Sequence, residues 1–227
     1  YAYGGFEVSL SPVYSGAYGL WLSEGGGFVK AYIRGGGELG PDWHKVAKGK
    51  GRHKAFEDFV AVARDLVKRG YSKPSRIACN GGSNGGLLTS VMLTRYPQDF
   101  GAAWTSVPVL HMSRFPLFPA GKAWMDEYWH PAVAEDPEAM RSYSPLHQVK
   151  PAEDINYPPV YIESSTNDDR VHPSHARRFA NRLIEAGHKP FFREFGSGGH
   201  GGAGDSTEMA TRQAIGHSFL RETIMKG

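Results

Sequence analysis

The sequence predicts an α/β fold, a mainly parallel sheet with helices on both faces. Short apolar, β-rich runs recur along the chain, stretches with apolar residues at helical spacing separate them, and glycine-rich turns close several of the runs.

Residues 28–33 form the first such run, closed by Arg34-Gly-Gly-Gly, and residues 76–80 form a second, closed by Gly81-Gly82. Both read as buried strands ending in tight turns. Between them Phe56, Phe59, Val60, Ala63, Leu66 and Val67 recur at helical spacing, with Gly70 as the stop. The alternation continues with a helix over about 86–95, strands over 102–107 and 159–164, a helix over 175–186, a strand over 191–195 and a final helix over 207–224. Strands separated by helices of this length imply a sheet covered on both sides. Residues 111–151, rich in Pro, Trp and Tyr, break the rhythm and read as a cap-like insertion over the carboxyl edge of the sheet, where open α/β sheets bind ligands.

A chain of 227 residues suits one large domain. Lys and Arg number 26 against 23 acidic residues, so the net charge of +3 gives no reason to expect a nucleic-acid or membrane partner. A small molecule or peptide is the expected partner. The single cysteine, Cys79, lies in an apolar run and reads as core. No apolar run reaches membrane-spanning length, and the start lacks both a charged n-region and an apolar h-region. A cytoplasmic chain is the expectation, with periplasmic or secreted placement as alternatives, because the absent initiator Met leaves room for an upstream signal peptide or domain.

Gly81-Gly82-Ser83-Asn84-Gly85 contains Gly-x-Ser-x-Gly between an expected strand and an expected helix. The pattern alone is weak, and its context gives it meaning. A nucleophile at a sharp strand-to-helix turn needs a strained backbone, and the flanking glycines let neighbouring chain pass closely. A serine hydroxyl is a poor nucleophile until a histidine takes its proton and a carboxylate holds that histidine's tautomer. In α/β-hydrolases the chain order is Ser, acid, His, with acid and base in loops after later strands. Asp168 and Asp169 follow the run at 159–164, and His200 follows the run at 191–195 within Gly196-Ser-Gly-Gly-His-Gly-Gly. Spacing leaves Asp168 and Asp169 equally placed. His44, His53, His130, His147, His172, His175, His188 and His217 read as surface or structural, and His111 as a candidate lining residue of the cleft. Arg34-Gly-Gly-Gly-Glu-Leu-Gly has neither a following Gly-Lys-Ser/Thr nor dinucleotide-fingerprint spacing, and no Cys/His cluster has zinc-site spacing. No cofactor and no catalytic metal are expected.

Together with Tyr3-Gly-Gly-Phe6, Ile33-Arg-Gly-Gly-Gly-Glu38, Gly81-Gly-Ser-Asn-Gly-Gly-Leu-Leu88, Tyr143-Ser-Pro-Leu-His147, Asp168-Asp-Arg-Val171 and Gly199-His-Gly201, these residues make the chain resemble, nearly end to end, the catalytic domain of the prolyl oligopeptidase family of serine peptidases. The resemblance implies an α/β-hydrolase fold with Ser83, Asp168 and His200 as the triad, since the family's acid is the first aspartate of Asp-x-Arg-Val. It also implies an oxyanion hole made by the backbone N–H of Asn84 and the hydroxyl of Tyr3. Arg170 matches the arginine that holds a substrate carbonyl. Trp124, Tyr128, Phe6 and Val171 match the pocket for the residue before the cleaved bond. Read without the family, the spacing of four between Trp124 and Tyr128 fits one helical face in a core equally well.

The implied activity is hydrolysis of short peptides, after proline or a similar residue, through an acyl-enzyme. An esterase or acyl-peptide hydrolase using the same triad is the alternative, and a non-catalytic binding module is the reading from another class. Family members carry a β-propeller before the hydrolase part. These residues contain none and begin where the oxyanion-loop strand should be ending, so the expectation is a fragment or a truncated relative, completed by a propeller segment or a partner chain. The segment Ala123-Trp-Met-Asp-Glu-Tyr128 also departs from the pattern of proline-specific members.

Overall fold

The computed structural model describes residues 1–128 and 137–226, the side chains of 137–139 excepted. Strands β1 (Ala78–Gly82), β2 (Ala102–Ser106), β3 (Val160–Ser165) and β4 (Phe191–Phe195) form one parallel sheet in sequence order. Asn80 pairs with Trp104, Trp104 with Tyr161, and Tyr161 with Phe191. Around it lie α1 (Gly16–Ser23), α2 (Pro41–Lys45), α3 (His53–Lys68), α4 (Asn84–Arg95), α5 (Met125–Tyr128), α6 (Pro137–Ser142), α7 (Pro145–Gln148), α8 (Ser174–Glu185) and α9 (Ser206–Leu220).

Alternation along each strand divides the core in two. One face collects Ala103, Val160 and Ile162 with Phe56 and Phe59 of α3, Leu87 and Val91 of α4, and Phe179 and Leu183 of α8. The other collects Ala102, Trp104 and Tyr161 with Trp21 of α1, Leu220 of α9 and the following Ile224. A parallel sheet with helices on both faces is thus what the periodicity predicts. The apolar stripe of α3 is buried through Ala63, and beyond it Gly70, at φ 76°, ends the helix with Tyr71 N–H donating to Leu66 C=O at 3.0 Å.

Several boundaries move. β1 begins at Ala78 and runs up to Ser83, because Pro74–Arg76 forms a short 3₁₀ turn. α4 begins at Asn84, directly after the serine. Residues 28–33, expected as a strand, lie outside the ladder: their backbone meets Tyr1, whose N–H donates to Val29 C=O and whose C=O accepts from Ala31 N–H, and two such bonds do not make a strand. α1 escaped the sequence reading because Gly-Ala-Tyr-Gly-Leu-Trp-Leu-Ser has no polar face to set against an apolar one. The insertion at 111–151 consists, among its described residues, of short helical turns and α5 to α7. Among the described residues no helix is long and apolar enough to cross a membrane.

The insertion is tied to α8 by a buried histidine. His175 Nδ1 accepts the backbone N–H groups of Leu110 and His111, each at 3.1 Å, so its neutral form is built into the fold. Burial, helped by repulsion from His111, His172 and Arg178, lowers its pKa from 6.5 to about 3. The unfolded chain therefore takes up a proton below pH 6.5 that the native state refuses until about pH 3. The stabilisation is complete above the ordinary histidine value and is lost as pH falls, at up to about 1.4 kcal/mol per pH unit for this one group. His175→Asn, whose Oδ1 can replace Nδ1 as acceptor, should flatten the loss of urea stability between pH 7 and pH 5, and equal slopes for variant and native protein would rule out this origin.

Candidate active site

In a parallel sheet all strands end on one edge, so the loops after β1, β3 and β4 meet there. The first carries Ser83, at φ 59° and ψ −116°, a backbone that costs a non-glycine residue about 1–3 kcal/mol. The turn is held open to its neighbours by glycines. A Cβ at Gly81 would stand 2.4 Å from Gly85 O, and one at Gly85 would stand 2.7 Å from Ala2 O, so the chain crosses itself too tightly for any side chain at either place. Ser83 N–H donates to Ser106 C=O at 2.9 Å, and Ser83 C=O accepts from Gly86 and Leu87 at the start of α4. None of these bonds uses the hydroxyl.

The second loop carries Asp168. Asp168 Oδ1 accepts the N–H groups of Arg170 at 3.0 Å and Val171 at 2.8 Å, which fixes the carboxylate against its own loop. His200 Nδ1 lies 3.0 Å from Oδ1 and 2.8 Å from Oδ2 of this residue. A carboxylate only accepts, so Nδ1 donates, which in the neutral imidazole puts the lone pair on Nε2. The choice that spacing left open falls on Asp168. Its neighbour Asp169 is exposed.

Tyr3 and Asn84 flank the serine. Burial raises the Tyr3 phenol above its ordinary pKa, and interaction with the Ser83 side chain, then the nearby Arg52 and Arg170 cations, pull the other way. Tyr3 thus keeps its proton and remains a donor beside Ser83 at neutral pH. Asn84 is fully buried and opens α4. Arg170 is exposed and Val171 buried. Phe6 meets the Tyr128 ring edge-on with centroids 5.5 Å apart. Trp124, half-buried, stacks on Phe115 at 6.4 Å. Tyr128 is fully buried and donates its hydroxyl to Asn84 Oδ1 at 2.8 Å, which places it beneath the serine turn as well as beside Phe6. His111 is buried, its ring 5.2 Å from that of His147. His44 meets Glu127, His188 bonds to Lys150 C=O and His217 packs on Trp104. His130 lies outside the described residues.

Residues 13–227 match the prolyl oligopeptidase family, peptidase family S9. This chain belongs to that family. It is 39% identical to an uncharacterized peptidase of Sinorhizobium fredii over 99% of this chain and 31% of that protein. It is 36% identical to a prolyl endopeptidase of Elizabethkingia miricola over 94% of this chain and 30% of that one. A solved post-proline cleaving enzyme from Rickettsia typhi superposes with a TM-score of 0.94 at 40% identity, covering 99% of this chain and 32% of the other. The chain therefore spans about a third of the length of the relatives it matches.

In this prolyl oligopeptidase family member the loops bearing Asp168 and His200 are stitched together by side chains that no motif marked. Ser165, at the end of β3, donates to Gly198 C=O at 2.8 Å, and Asn167 donates to Gly196 C=O at 3.0 Å. Their closeness in sequence to Asp168 was the available signal. A second unmarked group lies under Tyr3: Arg52 and Glu127, 1% and 4% exposed, form a buried ion pair at 3.0 Å. Such a pair, drawn from residues 75 apart in sequence, has no local signature. Phe6 and Glu7, at φ 56° and 57°, are strained in the same loop. Cys79 is buried, and desolvation pushes its thiol up to about 12, which leaves it inert as a nucleophile.

Proposed function

We propose that this chain is the catalytic α/β-hydrolase unit of a serine peptidase that cleaves short peptides after proline. Ser83 Oγ attacks the acyl carbon while His200 Nε2 takes its proton. Asp168 holds the imidazole in the tautomer that makes this possible and stabilises the imidazolium that forms. The tetrahedral oxyanion is received by Asn84 N–H and the Tyr3 hydroxyl, the protonated histidine then gives its proton to the leaving amine, and water releases the acid from the acyl-enzyme by the reverse sequence. The observation that carries this reading is His200 Nδ1 held by Asp168, in loops at the same sheet edge as Ser83 on its strained strand-to-helix turn. The names of the prolyl endopeptidase and post-proline cleaving relatives support the same class.

In this reading half-buried Trp124 supplies an indole face for a proline ring, partly buried Phe6 contributes to the pocket, buried Tyr128 and Val171 form its backing, and exposed Arg170 holds a backbone carbonyl of the substrate. The two carboxylates of the same segment are already paired, Glu127 with Arg52 and Asp126 with Lys48 at 2.5 Å, which favours an apolar residue in the pocket over a basic one. Val13, Tyr14, Leu20 and Leu22 stand exposed around α1 and suit coverage by a propeller segment or partner chain.

A fluorophosphonate probe together with substrate ranking tests the reading. Labelling of the native protein, with faster turnover of a blocked Gly-Pro amide than of an Ala or Lys amide, is the expected result. Labelling with turnover confined to short-chain aryl esters would instead make it an esterase on the same triad. A folded protein that takes no label would leave only a binding module.

A further inference from the structure

Tyr3, which supplies one oxyanion donor, and Asn84, which supplies the other, belong to different elements, yet the chemistry needs them at one point. The loop over residues 3–7 has few backbone bonds of its own: Gly4, Phe6 and Glu7 all adopt positive φ, and its backbone is tied by a turn bond from Val8 N–H to Gly5 C=O at 3.1 Å and by Glu7 N–H donating to Gly35 C=O at 3.2 Å. What ties Tyr3 to Asn84 is a closed circuit of hydrogen bonds that starts and ends at Arg52.

On one side Arg52 Nη2 donates to Asn84 Oδ1, and Asn84 Nδ2 donates to Tyr3 C=O at 2.5 Å. On the other, Arg52 Nη1 donates to Glu127 Oε1 at 3.0 Å, and the same oxygen accepts Phe6 N–H at 2.9 Å. The short chain from Tyr3 to Phe6 closes the circuit, and the fit is tight: a Cβ on Gly5 would stand 2.5 Å from Asn84 Nδ2 and 3.1 Å from Arg52 Nη1. Glu127 Oε2 meets His44 Nε2 at 2.7 Å, and the Tyr128 hydroxyl gives Asn84 Oδ1 its second bond at 2.8 Å, so both acceptors are shared rather than idle. The guanidinium serves Glu127 and Asn84 from two separate nitrogens in a fixed planar fork, a spread that the single nitrogen of an ammonium does not reproduce.

We infer that the buried Arg52–Glu127 pair is a positioning device for the reaction, one that sets the Tyr3 hydroxyl and the Asn84 N–H at a common oxyanion site without touching substrate. The inference rests on the serine-peptidase reading above. It assigns to Glu127 a role distinct from pocket chemistry: its carboxylate faces the oxyanion loop and its charge is spent on Arg52.

The test is a double-substitution cycle on the native-length protein with Arg52→Lys and Tyr3→Phe, following kcat and KM for a proline amide, the affinity for a peptide aldehyde that Ser83 converts to a tetrahedral hemiacetal, and thermal unfolding. Misplacing the donors should lower kcat by about 10- to 100-fold, since loss of one such donor outright costs about 10²–10³. KM should stay within about twofold, because the interaction is made only in the transition state. Aldehyde affinity should fall in parallel with kcat/KM, and Tyr3→Phe should cost much less in the Arg52→Lys background than in the native one. Glu127→Gln, which keeps an acceptor for Phe6 N–H but weakens the hold on Arg52, should show the same split and serves if Arg52→Lys does not fold. Multiplicative losses in the cycle, or a lowered melting temperature with kcat and aldehyde affinity unchanged, would overturn the positioning role alone. A native protein inert to both fluorophosphonate and substrate would overturn the peptidase reading and this inference with it.

Discussion

Replacing Ser83 with alanine is expected to abolish fluorophosphonate labelling and to lower kcat for a proline amide by about 10⁶, the loss seen when a triad serine is removed and only binding and the oxyanion hole remain. The fold should survive the change, because Ser83 is anchored through its backbone, by N–H to Ser106 C=O at 2.9 Å and C=O to the first turn of α4. Alanine adopts φ 59° no more readily than serine, so stability should stay near native. The far-UV and thermal profiles of Ser83→Ala should therefore overlay those of the native protein. Residual labelling would place the nucleophile at another hydroxyl.

Asp168→Asn should be the next most damaging, at about 10⁴ in kcat with KM little changed. The reason is a tautomer. Asp168 Oδ1 accepts two backbone N–H groups, from Arg170 and Val171, so an asparagine would turn its carbonyl toward them and its NH₂ toward His200. His200 Nδ1 would then have to accept, its proton would move to Nε2, and Nε2 could no longer act as the base for Ser83. Asp169→Asn, on an exposed side chain one residue away, should leave kcat within about twofold. A pH–rate comparison of the two variants checks the assignment, and equal losses would return the acid to the ambiguity that spacing alone leaves.

The family resemblance, the alternation of strand and helix, and the nucleophile turn were legible because each is written locally. A Gly-x-Ser-x-Gly after an apolar run specifies a sharp turn through the steric limits of its own residues, and the 3.6-residue period of Phe56, Phe59, Val60 and Ala63 specifies a buried helical face. The Gly-rich loop after β4 marked His200 for the same reason. Residues 28–33 show the limit of such patterns: apolar and β-rich, they have Tyr1 as their backbone partner and join no ladder.

By itself, then, the sequence determined the fold class, the serine turn and the loops that carry Asp168 and His200, since steric and periodic signals act between near neighbours. Only the tertiary structure decided which of two adjacent aspartates meets His200, that Tyr128 is bound beneath the serine turn, and that Arg52 and Glu127 close a circuit with Asn84 around the loop of Tyr3. Those outcomes depend on charges and donors brought together from 75 residues apart in one case and 44 in another, and hydrogen bonds act over about 3 Å of space, not of sequence.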